Sequence, residues 1–286
     1  MASVTLHRAP PRPARLQVGL VGLLLVLAGA AWALTGDRMS GMDAGPGTEL
    51  GGLGWFIVVW ATMMAAMMLP AVTPMTLAHA RIGQAGRDGA SASALGASAL
   101  FVAGYLVSWA AAGLVAYAIV EGVRALDLDF LAWDHAGQYV AGGVILGAAL
   151  YQLAAPKDAC LRHCRSPALL LEHWQRSRRG ALRMGVEHGA ACIGCCWALM
   201  AALFALGVMN IAWMAFVAAL LAAERLLPWK APAVHAVALV LAVLGLAVAF
   251  APERVPGLTI PGSPGAMPSM SMGAVSPPPV HRAAGG

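Results

Sequence analysis

Six long apolar stretches of the chain lack Asp, Glu, Lys and Arg: Leu16–Gly36, Leu50–Ala80, Gly89–Val120, His135–Pro156, His188–Ala223 and Ala231–Pro252. A helix crosses the roughly 30 Å apolar core of a bilayer with about 20 residues. Five of the stretches predict one spanning helix each. His188–Ala223 has 36 residues, which as a single helix would measure about 54 Å, too long for one span. Gly207-Val208-Met209-Asn210 near its middle reads as a tight turn. The pattern therefore predicts an all-α, polytopic membrane helix bundle of about seven spans. These lie near 16–36, 54–78, 93–119, 136–155, 188–206, 210–228 and 232–251.

The charges between the runs orient the bundle, because Lys and Arg collect in cytoplasmic segments. Arg8, Arg12 and Arg15 precede the first run. The segments after runs one and three are acidic on balance, with Asp37, Asp43 and Glu49 in one and Glu121, Asp127, Asp129 and Asp134 in the other. The inner loop expected over 157–187, which holds Cys160 and Cys164, carries Lys157, Arg162, Arg165, Arg176, Arg178, Arg179 and Arg183. Signs alternate if His188–Ala223 is two spans, so that Arg225 and Lys230 fall inside again. That places the N-terminal tail, 1–15, in the cytoplasm and the tail 253–286 on the periplasmic side. The first run also resembles a signal peptide, with Ala31-Trp32-Ala33 at its end, and its cleavage would leave six spans. Its apolar region is longer than the usual 7–15 residues, which favours a retained helix.

Composition narrows the class. The 286 residues are 60% hydrophobic and only 11% charged, against roughly 25% charged in soluble domains. Mean hydropathy is +0.74. This excludes an ordinary soluble domain, a disordered chain and a disulfide scaffold. Ala, Gly, Leu and Val carry the apolar mass, which favours closely packed helices over a barrel. The net charge of +5 fits orientation and attraction to anionic lipid, and calls for no nucleic-acid partner. Segment Ser166–Met184 sets Leu170, Trp174 and Leu182 against Arg176, Arg178 and Arg179, the pattern of an interfacial amphipathic helix. The tail 253–286, rich in Pro, Gly, Ser and Met, has too few core formers to fold.

Three groups of soft ligands remain. In the second run Met64, Met68, Met75 and His79 fall within about 60° of one another at 100° per residue, and Met67 lies beside them. Pro70 and Pro74 should kink this helix and free carbonyls. Thioethers suit Cu(I), and methionine equally fills gaps in packed cores. All five cysteines lie in one stretch: Cys160, Cys164, Cys192, Cys195 and Cys196. His163 sits between the first two. On a helix His188, Cys192, Cys195, Cys196 and Met200 share one broad face. An odd count on the reducing side argues against disulfides and for Cu(I) or zinc. The third group is Met39 and Met42 in the first loop and Met267, Met270 and Met272 in the tail, with His281 beyond. Thioethers there would capture Cu(I) in an oxidising compartment, although low-complexity sequence also yields such counts by chance. Glu224 is an acid within a predicted span, hence a functional candidate, with Arg225 as its expected neighbour.

The motifs Trp60-x2-Met63-x3-Met67-Met68-x-Pro70, Cys160-x3-Cys164, His188-Gly189-x2-Cys192-x-Gly194-Cys195-Cys196-Trp197-x-Leu199-Met200, Gly207-x-Met209-Asn210-x2-Trp213-Met214 and Glu224 together resemble a bacterial family. It is catalogued as predicted metal-binding integral membrane proteins, a domain of unknown function. The resemblance covers roughly residues 50–230, with Arg225 where the family pattern has Lys. It implies a multi-pass protein of the bacterial inner membrane with a metal site.

These features favour an inner-membrane protein that binds copper for handling, delivery or translocation. Its partners would be the lipid bilayer, the metal ion, and a periplasmic metallochaperone or membrane subunit. No phosphate loop, nucleophile elbow, HExxH or dinucleotide fingerprint is present. A membrane metalloenzyme or thiol oxidoreductase would have only Glu224, His79 and His188 as acid–base groups. An assembly protein that recruits partners through small-residue faces is the third reading.

Overall fold

The computed structural model describes residues 14–39, 51–85, 91–126, 136–166, 177–208, 210–227 and 230–258. Met42, Met267, Met270 and Met272, most of the amphipathic segment 166–184 and most of the tail lie outside them. The described residues are helical, with no strand among them. The helices are α1 (Ala14–Met39), α2 (Leu53–Ala85), α3 (Ser91–Ala125), α4 (Gln138–Gln152), α5 (Ala155–Arg165), α6 (Arg178–Leu206), α7 (Ile211–Leu226) and α8 (Lys230–Phe250). The fold is all-α.

Five of them, α1, α2, α3, α6 and α8, are long and apolar enough to cross a membrane. At 16 residues, α7 is shorter than the usual span.

Two boundaries differ from the hydrophobic pattern. The run expected as one helix over 136–155 breaks after Gln152, and α5 leaves α4 at 65°. Pro156, in the first turn of α5, cannot supply the N–H that would continue α4. Asp158 near the start of α5 and Arg162, His163 and Arg165 near its end match the helix dipole. Cys160 and Cys164 thus sit on a helix, where the sequence suggested a loop. Its inward stripe is Lys157, Leu161 and Cys164. The other shift is at α6, which starts at Arg178 instead of near His188. Ser177 caps it, its side chain accepting from the Gly180 amide at 2.9 Å. Arg183 and Glu187 pair along the added turns.

The long run ends α6 at Gly207, whose φ of +104° is a backbone state that favours glycine. Asn210 restarts the helix as the cap of α7, accepting from the amides of Ala212 and Trp213. Its amide nitrogen and the Trp213 indole both donate to the Gly257 carbonyl. The chain after α8 is thereby tied to the start of α7.

Close helix contacts use small residues. A Cβ at Gly185 would overlap the Phe101 carbonyl, and one at Gly104 would overlap that of Leu182, so α3 and α6 meet nearly backbone to backbone. Helices α4 and α8 meet the same way at Gly142 and Gly245. Trp60 of α2 lies against Gly113 of α3 and donates to the Trp109 carbonyl at 2.8 Å. Helix α2 continues through Pro70 and Pro74. Nearby, the hydroxyls of Thr73 and Thr76 bond back to the carbonyls of Leu69 and Val72. The outcome is a central α2–α3–α6 layer, with α5 and α7 closing over the cysteine-bearing part of α6.

Candidate metal centre

Cys192, Cys195 and Cys196 occupy consecutive turns of α6, and the 3.6-residue period turns all three inward. Their sulfurs lie within 4.8 Å of one another and are buried. All five cysteines are free thiols. Cys195 and Cys196 each donate to the Cys192 carbonyl, at 3.0 and 2.9 Å. This is the local bond that a thiol makes to a preceding turn, and it draws the two sulfurs to the same side.

Two further helices complete the pocket. From α5, Cys164 places its sulfur 3.9 Å from that of Cys195. Cys160, one turn earlier and only partly buried, lies against α6 at Gly194, where a Cβ would come within 2.7 Å of its sulfur. From α7, Arg225 Nη2 donates to Cys192 Sγ at 2.9 Å and to Cys195 Sγ at 3.2 Å. From α3, the Tyr105 hydroxyl meets Cys192 Sγ at 3.0 Å. The guanidinium supplies a fixed positive charge beside the sulfurs where water is excluded. That charge favours anionic sulfur and any anionic metal–thiolate complex.

His188, one turn before Cys192, is buried between aromatic rings. Its ring centroid lies 5.7 Å from Phe101, 5.9 Å from Tyr105 and 6.5 Å from His163. His79 of α2 also stacks on Phe101, with ring centroids 5.1 Å apart. Phe101 therefore contacts both the histidine of the methionine helix and the histidine of the cysteine helix. Met64, Met67, Met68 and Met75 are all buried in the core, as is Met200 one turn beyond Cys196. Met39, expected in the first loop, instead forms the last residue of α1 and is buried in the same core.

Glu224 does not pair with Arg225. It accepts from Lys157 of α5 at 2.6 Å, and each side chain is 1% exposed. Arg225, one residue on, points to the thiols instead. Sequence reading missed Lys157, Tyr105 and Arg225 as parts of this centre. Tyr105 stands 87 positions from its cysteine and Lys157 stands 67 from its carboxylate. No local motif connects either pair. Lys157 did leave a signal: it shares the i, i+4, i+7 spacing of Leu161 and Cys164.

The donor set fits a soft monovalent or tetrahedral divalent cation: three converging thiols, a fourth within contact, and, among the described residues, no carboxylate grouped with the sulfurs. A family model described as PpoB2: Copper chaperone matches residues 57–248. The chain belongs to the PpoB2 copper chaperone family. The matched stretch runs from α2 into α8 and so contains every residue of the centre just described. Membership of this copper chaperone family narrows the metal expectation from soft metals in general to a copper-related protein. No curated protein and no solved structure matches the chain.

Proposed function

We propose that this protein is an inner-membrane copper chaperone that holds Cu(I) on the thiolates of Cys192, Cys195 and Cys196. The observation that carries this reading is the convergence of those three buried sulfurs within 4.8 Å. Soft thiolates in two- or three-coordinate arrangements suit Cu(I), while zinc would call for a fourth ligand, for which Cys164 stands nearest. A Cu(I) ion on two or three thiolates carries net negative charge. Arg225 would offset it where no water can.

The buried methionines of α2, with His79 and His188 both in contact with Phe101, would offer a route of soft ligands toward the thiols. Met42, Met267, Met270 and Met272 would capture copper on the periplasmic side, where a metallochaperone or membrane subunit would exchange it; Met39, buried in the core, would not. In this reading the N-terminus is cytoplasmic and the thiols face the reducing compartment.

Copper analysis of the purified full-length chain against a Cys192/Cys195/Cys196→Ser triple variant tests the site. The wild type should carry copper and the variant should lose it. Equal copper in both would sink the proposal. Zinc competition on the same samples assigns the metal.

A further inference from the structure

The five thiols do not share one environment. Cys192, Cys195 and Cys196 are buried, Cys164 is 8% exposed, and Cys160 is partly open. They also form a spatial series. Cys160 and Cys164 are one turn apart on α5, Cys164 touches Cys195, and Cys195 belongs to the trio. We propose that Cys160 is the exchange thiol of this centre. It takes Cu(I) from an external thiolate–copper complex, or returns it, and hands it through Cys164 to the buried sulfurs. This rests on the Cu(I) reading above.

Three observations support it. A sulfur wholly inside the protein cannot touch a ligand on another molecule, yet Cu(I) moves between thiolates through a shared-ligand complex. One thiol must therefore stand at the boundary, and Cys160 does. Its surroundings there are polar: Asp158 and Arg162, two residues to either side, form an ion pair at 3.3 Å with side chains 64% and 68% exposed. Gly194 lets the Cys160 sulfur lie directly on α6, one residue before Cys195. The Tyr151 hydroxyl donates to the Gly194 carbonyl at 2.7 Å and fixes that turn.

The step changes no oxidation state. Copper bound to the donor gains a bond to Cys160 sulfur and loses its bond to a donor sulfur. The proton of the Cys160 thiol ends on the departing donor thiolate. Cys164 then adds from the next turn, and its own proton leaves in the same way when the Cys160 bond breaks. The chemical class of the external partner is thus a thiolate that carries Cu(I), either a small thiol or a protein cysteine.

The test follows copper uptake by the full-length chain in lipid nanodiscs. Cu(I) is supplied on glutathione in one arm and on a Cys-x2-Cys peptide in the other. A Cys160→Ser variant should reach the wild-type copper content but load roughly tenfold or more slowly, because thiol exchange depends on access to the attacking sulfur. Slowing in both arms assigns thiolate donors in general. Slowing with the peptide alone assigns a protein donor. Loading at the wild-type rate in both arms overturns the proposal. So does a lower final copper content, which would make Cys160 a holding ligand. Failure of the wild type to take up copper would instead overturn the reading of the previous section. A metal-independent measurement adds to this: a bulky water-soluble maleimide should modify Cys160 ahead of the other four cysteines, and any other order contradicts the assignment.

Discussion

Lys157 Nζ donates to Glu224 Oε1 at 2.6 Å, joining α5 to α7 across a site from which both side chains are sealed. Removing one member of such a pair strands a buried charge, at a cost of about 3–5 kcal/mol. Glu224→Leu and Lys157→Met should therefore each lower the unfolding temperature strongly. The double variant should be more stable than the sum of the singles predicts. Thermal unfolding of the four proteins gives the coupling directly, and simple additivity would show that the pair does not act as one unit.

Arg225 bonds two sulfurs of the proposed copper centre. Hydrogen bonds to charged groups are worth about 1.5–3 kcal/mol. Arg225→Met should weaken Cu(I) affinity by roughly ten- to a hundredfold on that scale. Arg225→Lys, which keeps the charge but loses the planar fork, should fall between. Competition against a Cu(I) chelator measures all three, and unchanged affinity in Arg225→Met would remove Arg225 from the centre.

Tyr105→Phe keeps the ring beside His188 and deletes only the hydroxyl that meets Cys192. A single buried hydrogen bond contributes about 1 kcal/mol. The variant should fold normally and bind Cu(I) several-fold more weakly. A loss as large as that of Arg225→Met would contradict this ranking.

At Gly185 an added methyl meets the Phe101 carbonyl of α3, while at Gly19 it meets nothing within 4 Å. Overpacking of this kind costs about 1–3 kcal/mol. Gly185→Ala should lower the melting temperature by several degrees and Gly19→Ala should not. Equal melting temperatures would mean that α3 and α6 do not meet as described.

The all-α class was legible because few charges and long apolar runs leave no alternative in a chain of this composition. The turn at Gly207 and Asn210 was legible too, since one residue favours positive φ and the other caps the next helix. The inward face of Cys192, Cys195 and Cys196 followed from helical period alone, because residues three and four apart share a side. What the period could not supply is anything that arrives from another helix. Pro156 turned a predicted loop into α5 and brought Cys164 onto Cys195. The partner of Glu224 is another case. Arg225 adjoins it in sequence, but residues i and i+1 point about 100° apart on a helix. Packing of α5 and α7 against α6 therefore gave the carboxylate to Lys157 and the guanidinium to the thiols. Spacing along the chain determined which cysteines face together. Only the tertiary structure decided which charges stand beside them, because charge in a buried site depends on contacts between helices that no local sequence pattern encodes.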